Sequence, residues 1–550
     1  MKINNKNILI IIIFGYNLIM TIRDQLNSIA EERIVILDGA MGSVIQTLNL
    51  DEKSYRGSMF ADHPVPLSGC SDLLCMTRPG AIGAIHDTYL EAGADIIETC
   101  SFNSTSISLS DYKLGHLSYE ISAAAARVAR KSADKYSTYA KPRFVAGSIG
   151  PTSKGASLCT DVNDPSKRSI CWDELETAYY NNAKGLLDGG VDIFLIETIF
   201  DTLNAKAALC AINKLCEERN IDVPIIVSAS ISESGRLLSG QSIETFCISV
   251  LHAKPWAVGL NCSFQASKLL PHLRFLSEIV PCYISVYPNA GAPNKYGRYD
   301  ETPEIMAANL HQYFKEELVN IIGGCCGTTP AHIAEIALKA FDFKPRKTRS
   351  ELLYHSFSGL EPYYAINNAV FINDIYISED RKEFVKSFKN GEYEDAADIA
   401  REMIDKGEPI LNIKTDNEKA LNAFLDFALI NPYVAKVPFM ITSSNFDTLE
   451  SGLKRLQGRG LAGPVSLKNG DAEFLHKIKT IRKYGAAALV ALIDEHGHAE
   501  TKERITQIKE RIHQLLEKNN LPVDSIVYEM EAPPGILSDN WPEEESTAYR

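Results

Sequence analysis

The stretch Leu318-Val319-Asn320-Ile321-Ile322-Gly323-Gly324-Cys325-Cys326-Gly327 carries an apolar run straight into a glycine-rich turn with two adjacent cysteines. Ala257-Val258-Gly259-Leu260-Asn261-Cys262 repeats the pattern upstream, a β-like run ending on a cysteine. Similar runs begin at Ile34, Ala94, Phe144, Ile193, Ile225 and Tyr283, with helical stretches between them. Continuous apolar runs flanked by amphipathic helices mark strands buried on both faces. Eight such units within residues 33–343 predict an α/β fold, a parallel (β/α)8 TIM barrel, with a doubly wound open sheet as the alternative. In a barrel of this kind the strand C-termini display the reactive side chains, and Cys262, Cys325 and Cys326 all fall there.

At 550 residues the chain is long enough for two or more domains. Its 45% hydrophobic and 23% charged content is that of a globular protein. A net charge of −14 leaves no basic face to neutralise phosphates, which argues against a nucleic-acid partner. The twelve cysteines follow no disulfide-framework spacing and read as reduced core thiols plus a few ligands. Cys210, Cys216, Cys247 and Cys282, in apolar or helical contexts, read as core.

Residues 1–20 form a separate segment. Lys2 and Lys6 precede Ile8-Leu9-Ile10-Ile11-Ile12-Ile13-Phe14, a run too short to span a bilayer as a helix. It reads as a translation start placed too early, or as a signal-like segment without a small-x-small cleavage site. A membrane role is not expected, and a thiolate metal site implies the cytoplasm. Residues 21–343 are then the first barrel, 344–363 a basic, polar linker, and 364–550 a second α/β domain. In that domain strands are expected at Pro409–Ile413, Val437–Ile441, Gly463–Leu467, Ala488–Ile493 and Ser525–Tyr528, before an acidic, Pro-rich tail. A closed eight-fold barrel takes about 250 residues, so the second domain reads as an incomplete barrel.

Three thiolates at strand ends can hold a zinc ion and leave a coordination position open for a substrate thiol. The competing reading makes Cys325-Cys326 packing residues in a tight turn, although Gly-Gly-Cys-Cys-Gly is hard to explain by packing. Two further patterns carry no chemistry. His496-Gly497-His498 beside Asp494-Glu495 reads as a loop, not a second metal site, and no Gly-x-x-x-x-Gly-Lys-Ser/Thr phosphate loop occurs.

Longer motifs add a resemblance. Asp38-Gly39-Ala40-Met41-Gly42-Ser43, Glu98-Thr99 with Phe102-Asn103-Ser104-Thr105, Gly150-Pro151-Thr152 and Asp161-Val162-Asn163-Asp164-Pro165 belong to it. So do Ile196-Glu197-Thr198-Ile199-Phe200-Asp201-Thr202, Ser239-Gly240-Gln241, Gly259-Leu260-Asn261-Cys262, Pro288-Asn289-Ala290-Gly291 and Gly323-Gly324-Cys325-Cys326-Gly327-Thr328-Thr329-Pro330. Together they resemble the homocysteine-binding barrel of cobalamin-dependent methionine synthases, within the homocysteine S-methyltransferase family. The resemblance implies zinc on Cys262, Cys325 and Cys326, with homocysteine sulfur bound to the metal. It implies Asp38 and Gly39 at the amino acid end of the substrate, Glu197 for its ammonium, and Asn289 as a weak fourth zinc ligand before substrate arrives. The residues alone leave other roles open: Asp38 as a loop cap, Glu197 as an ion-pair partner, Asn289 as the holder of a turn.

The second segment resembles the folate-binding barrel of the same synthases through Gly391-Glu392-Tyr393-Glu394, Lys436-Val437-Pro438-Phe439-Met440-Ile441 and Tyr484-Gly485-Ala486-Ala487. Its pterin-facing positions depart from that pattern. Asn412-Ile413-Lys414, Thr442-Ser443-Ser444, Gly463 and Glu529-Met530-Glu531 replace the family's Asp and Asn positions, and the opening motif is missing near Asn373–Ser378, while Asp494-Glu495 survives. Methyltetrahydrofolate binding is therefore not expected, and the segment reads as a degenerate scaffold. No Asp-x-His-x-x-Gly corrinoid loop occurs. The methyl group is expected from methylcobalamin supplied in trans on a separate corrinoid-binding protein, or from a small sulfonium or ammonium donor. A non-catalytic zinc and homocysteine binding protein is the remaining alternative.

Overall fold

The computed structural model describes residues 9–13, 16–161, 164, 167–295, 299–348, 356–364 and 379–529. Parts of four sequence readings lie outside these residues: the extreme N-terminus, the middle of the linker, the missing opening motif near 373–378 and the acidic tail. So do Val162, Asn163 and Pro165 of one quoted motif. Leu9–Ile13 and Tyr16–Met20 pair as an antiparallel hairpin. Among the described residues no helix is long and apolar enough to cross a membrane.

Eight parallel strands follow: β1 Val35–Ile36, β2 Ile96–Glu98, β3 Phe144–Ile149, β4 Ile193–Ile199, β5 Ile225–Ala229, β6 Ala257–Gln265, β7 Tyr283–Asn289 and β8 Ile321–Ile322. From β2 to β8 each strand pairs with the next in sequence, and β8 returns to β1. The last gap narrows where Leu37 bridges Ile96, with Asp95 N donating to Ile36 O at 2.7 Å and Asp38 N to Ile96 O at 3.0 Å. The eight-strand reading holds and the open doubly wound sheet is excluded, because strand order never reverses.

Side chains alternate between two cores, as the two-residue strand period requires. Val35, Leu37, Ile96, Phe144, Ala146, Ile193, Leu195, Ile226 and Tyr287 fill the barrel interior. Ile36, Ile97, Val145, Phe194, Ile196, Val227 and Val286 face the helices. This parity aims the acids: Glu98 follows Ile96, and Glu197 follows Ile193 and Leu195, on the interior face. The N-terminal end of the barrel is closed by helix Ile22–Glu32, whose Leu26 and Ala30 join the interior core. Below β2, Arg33 grips the buried Asp95 through two bonds of 2.6 and 2.9 Å.

The second unit is a five-stranded parallel sheet in sequential order: β9 Leu411–Lys414, β10 Phe439–Thr442, β11 Leu461–Val465, β12 Ala487–Val490 and β13 Ile526–Tyr528. Sequential parallel neighbours are the arrangement of a barrel arc. All five strands lie within three residues of their sequence-based positions.

The linker departs from the expected tether. Arg346 is buried and donates to the carbonyls of Ser277, Val280 and Cys282 beneath the first barrel. Ser356–Ser358 and Pro362–Tyr364 form a hairpin, anchored where Gln241 Nε2 donates to Gly359 O at 2.8 Å. Across the same seam the fully buried Lys206 donates to Leu456 O at 2.7 Å and Gly458 O at 2.9 Å. Composition marked this segment as polar, but carbonyls at strand and helix ends offer its cation and amides a dry docking place.

Candidate active site and metal centre

The C-terminal ends of the barrel strands bring Cys262, Cys325 and Cys326 together, with their sulfurs all within 4.8 Å of one another. Cys262 Sγ and Cys326 Sγ are 3.7 Å apart. Among the described residues no other group of three or more His, Cys, Asp or Glu has this closeness. All twelve cysteines are unbridged, and Cys210 and Cys247 are buried core residues as read, while Cys216 and Cys282 are partly exposed.

Two backbone devices aim the thiols. At Cys262 the register of β6 against β7 shifts, and Cys262 and the following Ser263 take φ of 59° and 33°, in the left-handed region. A bulge re-aims a side chain that regular pleating would have pointed elsewhere. A second irregularity in β4 puts Thr198 at φ 54°. The fully buried Asn261 ties the two together, accepting from Thr198 N at 3.0 Å and Ser228 Oγ at 2.8 Å, and donating to Thr198 Oγ1 at 2.8 Å. The Cys325-Cys326 turn is pinned on both sides: Cys325 N donates to Pro288 O at 2.8 Å, and Ala290 N to Cys326 O at 2.9 Å. Gly327 has φ +82°, and a Cβ there would stand 2.2 Å from Tyr299 Cβ, so the turn requires glycine.

Beside the sulfurs lies an acidic cluster. Asp38 follows β1, Glu98 ends β2 and Glu197 stands near the end of β4. Burial, with Glu197 nearby, pushes the Asp38 carboxyl well up. Burial and the same neighbour raise Glu98. Burial brings Glu197 up to about 7, against the bond donated by Ser148 Oγ. Asp38 Oδ2 accepts from Glu98 N at 3.1 Å, but Asp38 Oδ1 and Glu98 Oε1 are buried with no partner among the described residues. The same is true of Asn289 Oδ1 and the Tyr287 hydroxyl. None of the three acids has a basic side chain in hydrogen-bonding or ion-pairing contact among the described residues. Burial without a cation disfavours the charged form of these acids, and a cation placed beside them would favour it.

The structure thus gathers every sequence-derived candidate at one barrel mouth: Cys262, Cys325, Cys326, Asp38, Gly39, Glu197 and Asn289. Gly39 leaves no room for a side chain, since a Cβ would meet Thr328 Oγ1 at 2.7 Å and Tyr89 Cε1 at 2.9 Å. Glu98 is the member that the sequence reading quoted in a motif without giving it a role. Its signal was an acid closing an apolar run, the same pattern as Ile196-Glu197.

The family model for homocysteine S-methyltransferase matches residues 35–340, more than half of the chain. The chain belongs to the homocysteine S-methyltransferase family. A pterin binding enzyme model matches residues 378–530, so a homocysteine S-methyltransferase domain is followed by a pterin-binding domain, as in the N-terminal half of methionine synthase. Among solved structures, the metallated Escherichia coli homocysteine methyltransferase MmuM is 21% identical. That match covers 57% of this chain and 98% of that one, with a TM-score of 0.43. Its oxidized form is 23% identical over 56% and 96%, with a TM-score of 0.43.

Homocysteine S-methyltransferase zinc fits the donor set found here. Tetrahedral coordination at a Zn–S distance of ~2.3 Å places sulfurs ~3.8 Å apart, close to the 3.7 Å between Cys262 and Cys326. Cys262 and Cys325 thiols are pushed up and the Cys326 thiol down, chiefly by the hydrogen bonds the three share. Metal binding would replace the thiol protons, since only deprotonated sulfurs ligate.

The pterin-binding domain is arranged differently at its strand ends. Thr442 Oγ1 donates to Asn412 Oδ1 at 2.9 Å. Asp416 accepts from Ser443 Oγ, Ser444 N and Ser444 Oγ at 2.7, 2.7 and 2.8 Å, which hold its carboxyl down to about 2. Arg504 grips Asp494, and Arg511 bridges Asp471 and Glu495.

Proposed function

We propose that this enzyme methylates the thiol of homocysteine to give methionine, with zinc held by Cys262, Cys325 and Cys326. The observation that carries the reading is the convergence of three free thiols beside buried carboxylates that lack a cation. When bound, zinc lowers the pKa of a thiol ligand so that it is a thiolate at neutral pH. The remaining work falls to the chain. Glu197, with Asp38 and Glu98, binds the substrate ammonium, and Gly39 leaves space for the amino acid end. Asn289 offers an uncommitted oxygen beside the sulfurs. Asn261 keeps Cys262 and the β4 end in fixed relation, so that the sulfur is oriented for in-line attack on a methyl carbon. No protein general base is required, and the thiol proton leaves to solvent.

The methyl donor in this reading is methylcobalamin on a separate corrinoid protein. Support comes from the retained pterin-binding domain, which is packed against the barrel through a buried seam rather than tethered. The paired side chains of that domain favour a scaffolding role over methyltetrahydrofolate binding. A cytoplasmic location suits thiols that must stay reduced. A stand-alone enzyme using S-methylmethionine or a betaine-like donor is the second reading.

The test is zinc content and methionine formation by the full chain, with homocysteine and, in parallel, methylcobalamin, methyltetrahydrofolate and S-methylmethionine. One zinc per chain and turnover with methylcobalamin are expected. Turnover with S-methylmethionine alone selects the second reading. A chain that binds no zinc and turns over no donor overturns the function.

A further inference from the structure

A cavity of about 240 Å³ lies at the end of the first barrel opposite the cysteines, between the two domains. Its polar lining is His252, Lys254, Arg459, Arg482 and Asp524. Lys254 precedes β6, Arg459 precedes β11, Arg482 lies near the end of helix Asp471–Lys483 before β12, and Asp524 precedes β13. All four stand at strand N-termini, so the cavity is built by both domains and shares no residue with the candidate active site.

The charges do not balance. Three cations face one carboxylate, in a chain whose net charge is −14. Arg459 is 5% exposed and uses one terminal nitrogen, bonding Asp524 O at 2.5 Å and Asp524 Oδ2 at 3.1 Å, while its Nε is buried with no partner among the described residues. Arg482 spends its terminal nitrogens on neutral oxygens, Ser525 Oγ at 2.9 Å and the His252 carbonyl. Among the described residues Lys254 has one hydrogen bond, to the Asn520 carbonyl at 3.4 Å, with the Asp524 carboxylate as its attracting charge. His252 Nδ1 lies 2.8 Å from Ser249 O, leaving Nε2 buried with no partner among the described residues. Burial pushes the Lys254 and Arg482 groups down, and burial together with the neighbouring cations pushes His252 down. Each guanidinium carries five N–H donors in a fork suited to phosphate, and most of these ten are unspent.

We propose that this interdomain cavity binds a phosphate group, free or as a small phosphate monoester, through Arg459, Arg482 and Lys254. The anion supplies the charge the lining lacks and joins the two domains at their strand N-termini. The volume is below the ~300–1,000 Å³ of pockets for drug-sized ligands, which suits a small anion and excludes a nucleotide. Apolar walls from Ile248, Pro281 and Pro522 leave a place for a short carbon body.

The experiment is calorimetric titration of the full chain with inorganic phosphate and with glycerol 3-phosphate, against sodium chloride at matched ionic strength. Thermal unfolding is followed in the same buffers. One saturable site is expected, with a midpoint temperature that climbs with the logarithm of phosphate concentration and does not respond to chloride. Arg482→Gln and Lys254→Gln should each weaken binding by about tenfold or more, the size of a lost hydrogen bond to a charged group. Lys254 is exposed at the cavity mouth, so its variant reads out binding even where Arg482→Gln folds poorly. Tighter binding of the ester identifies a phosphorylated metabolite as the source, and equal binding identifies free phosphate. No saturable binding, or equal affinity in the parent and the Lys254→Gln chain, overturns the proposal.

Discussion

At the C-terminal ends of β1–β8, Asp38, Glu98, Tyr287 and Asn289 each bury a polar atom that no described residue satisfies. At the same ends of β9–β13, Asn412, Asp416 and Asp494 are all held by neighbours, and the Tyr528 hydroxyl is the buried group left without one. Both regions are parallel strands with loops at one mouth, so the fold alone does not separate them. The difference is whether the polar groups are satisfied within the protein or kept for something else. An unpaired buried polar group costs about 1–3 kcal/mol, a cost that makes sense where a ligand removes it. The first mouth leaves polar groups that a ligand could satisfy, as the proposed function requires, whereas the described polar groups of the second are mostly bonded within the protein.

Four experiments press on this contrast. Cys326→Ala should cut zinc affinity and methionine formation by on the order of a hundredfold or more, read by metal analysis and turnover. An unchanged metal content would mean that the triad is not the occupied site.

Lys206→Met tests the seam where the regions meet. The folded-state amine lies at about 7, down from 10.5, because burial disfavours its charge. Between those values the unfolded chain binds a proton that the folded chain does not. Stability should therefore rise with pH through that window, at up to ~1.4 kcal/mol per pH unit, and the variant should lose this slope in denaturant titrations. A parent without the slope would place Lys206 in water, not at a dry seam.

Glu197→Gln should raise the KM for homocysteine by about ten- to a hundredfold, the loss of a charged hydrogen bond. Zinc content should stay unchanged, which separates ammonium binding from metal binding. Asp494→Ala should cost about 1–3 kcal/mol of stability by leaving Arg504 unpaired, with no change in that KM. Micromolar methyltetrahydrofolate binding by the parent chain would break the comparison outright.

The sequence made parts of this contrast legible and hid others. The barrel strands could be read because strands buried on both faces are apolar at every position, as in Ile193-Phe194-Leu195-Ile196. The three cysteines could be read because each closes such a strand. Glu98 was visible only as an acid ending Ile96-Ile97, without its empty surroundings. The pairing of Asp494 with Arg504 was hidden because it depends on a helix folding back over the loop. The docked hairpin at 356–364 was hidden because its anchors are backbone carbonyls, which have no sequence signature. Nothing in Asn261-Cys262-Ser263 announces a left-handed backbone, since the residues usual in that region are glycine and asparagine.

That left-handed turn at Cys262 makes position 262 a place where architecture and chemistry can be taken apart. A glycine there would relax a conformation that costs a cysteine of order 1–3 kcal/mol, while deleting the sulfur. The backbone would be relieved and the triad would lose one of its three sulfurs. Under the proposed function, stability and activity are therefore expected to move in opposite directions when this one position is changed.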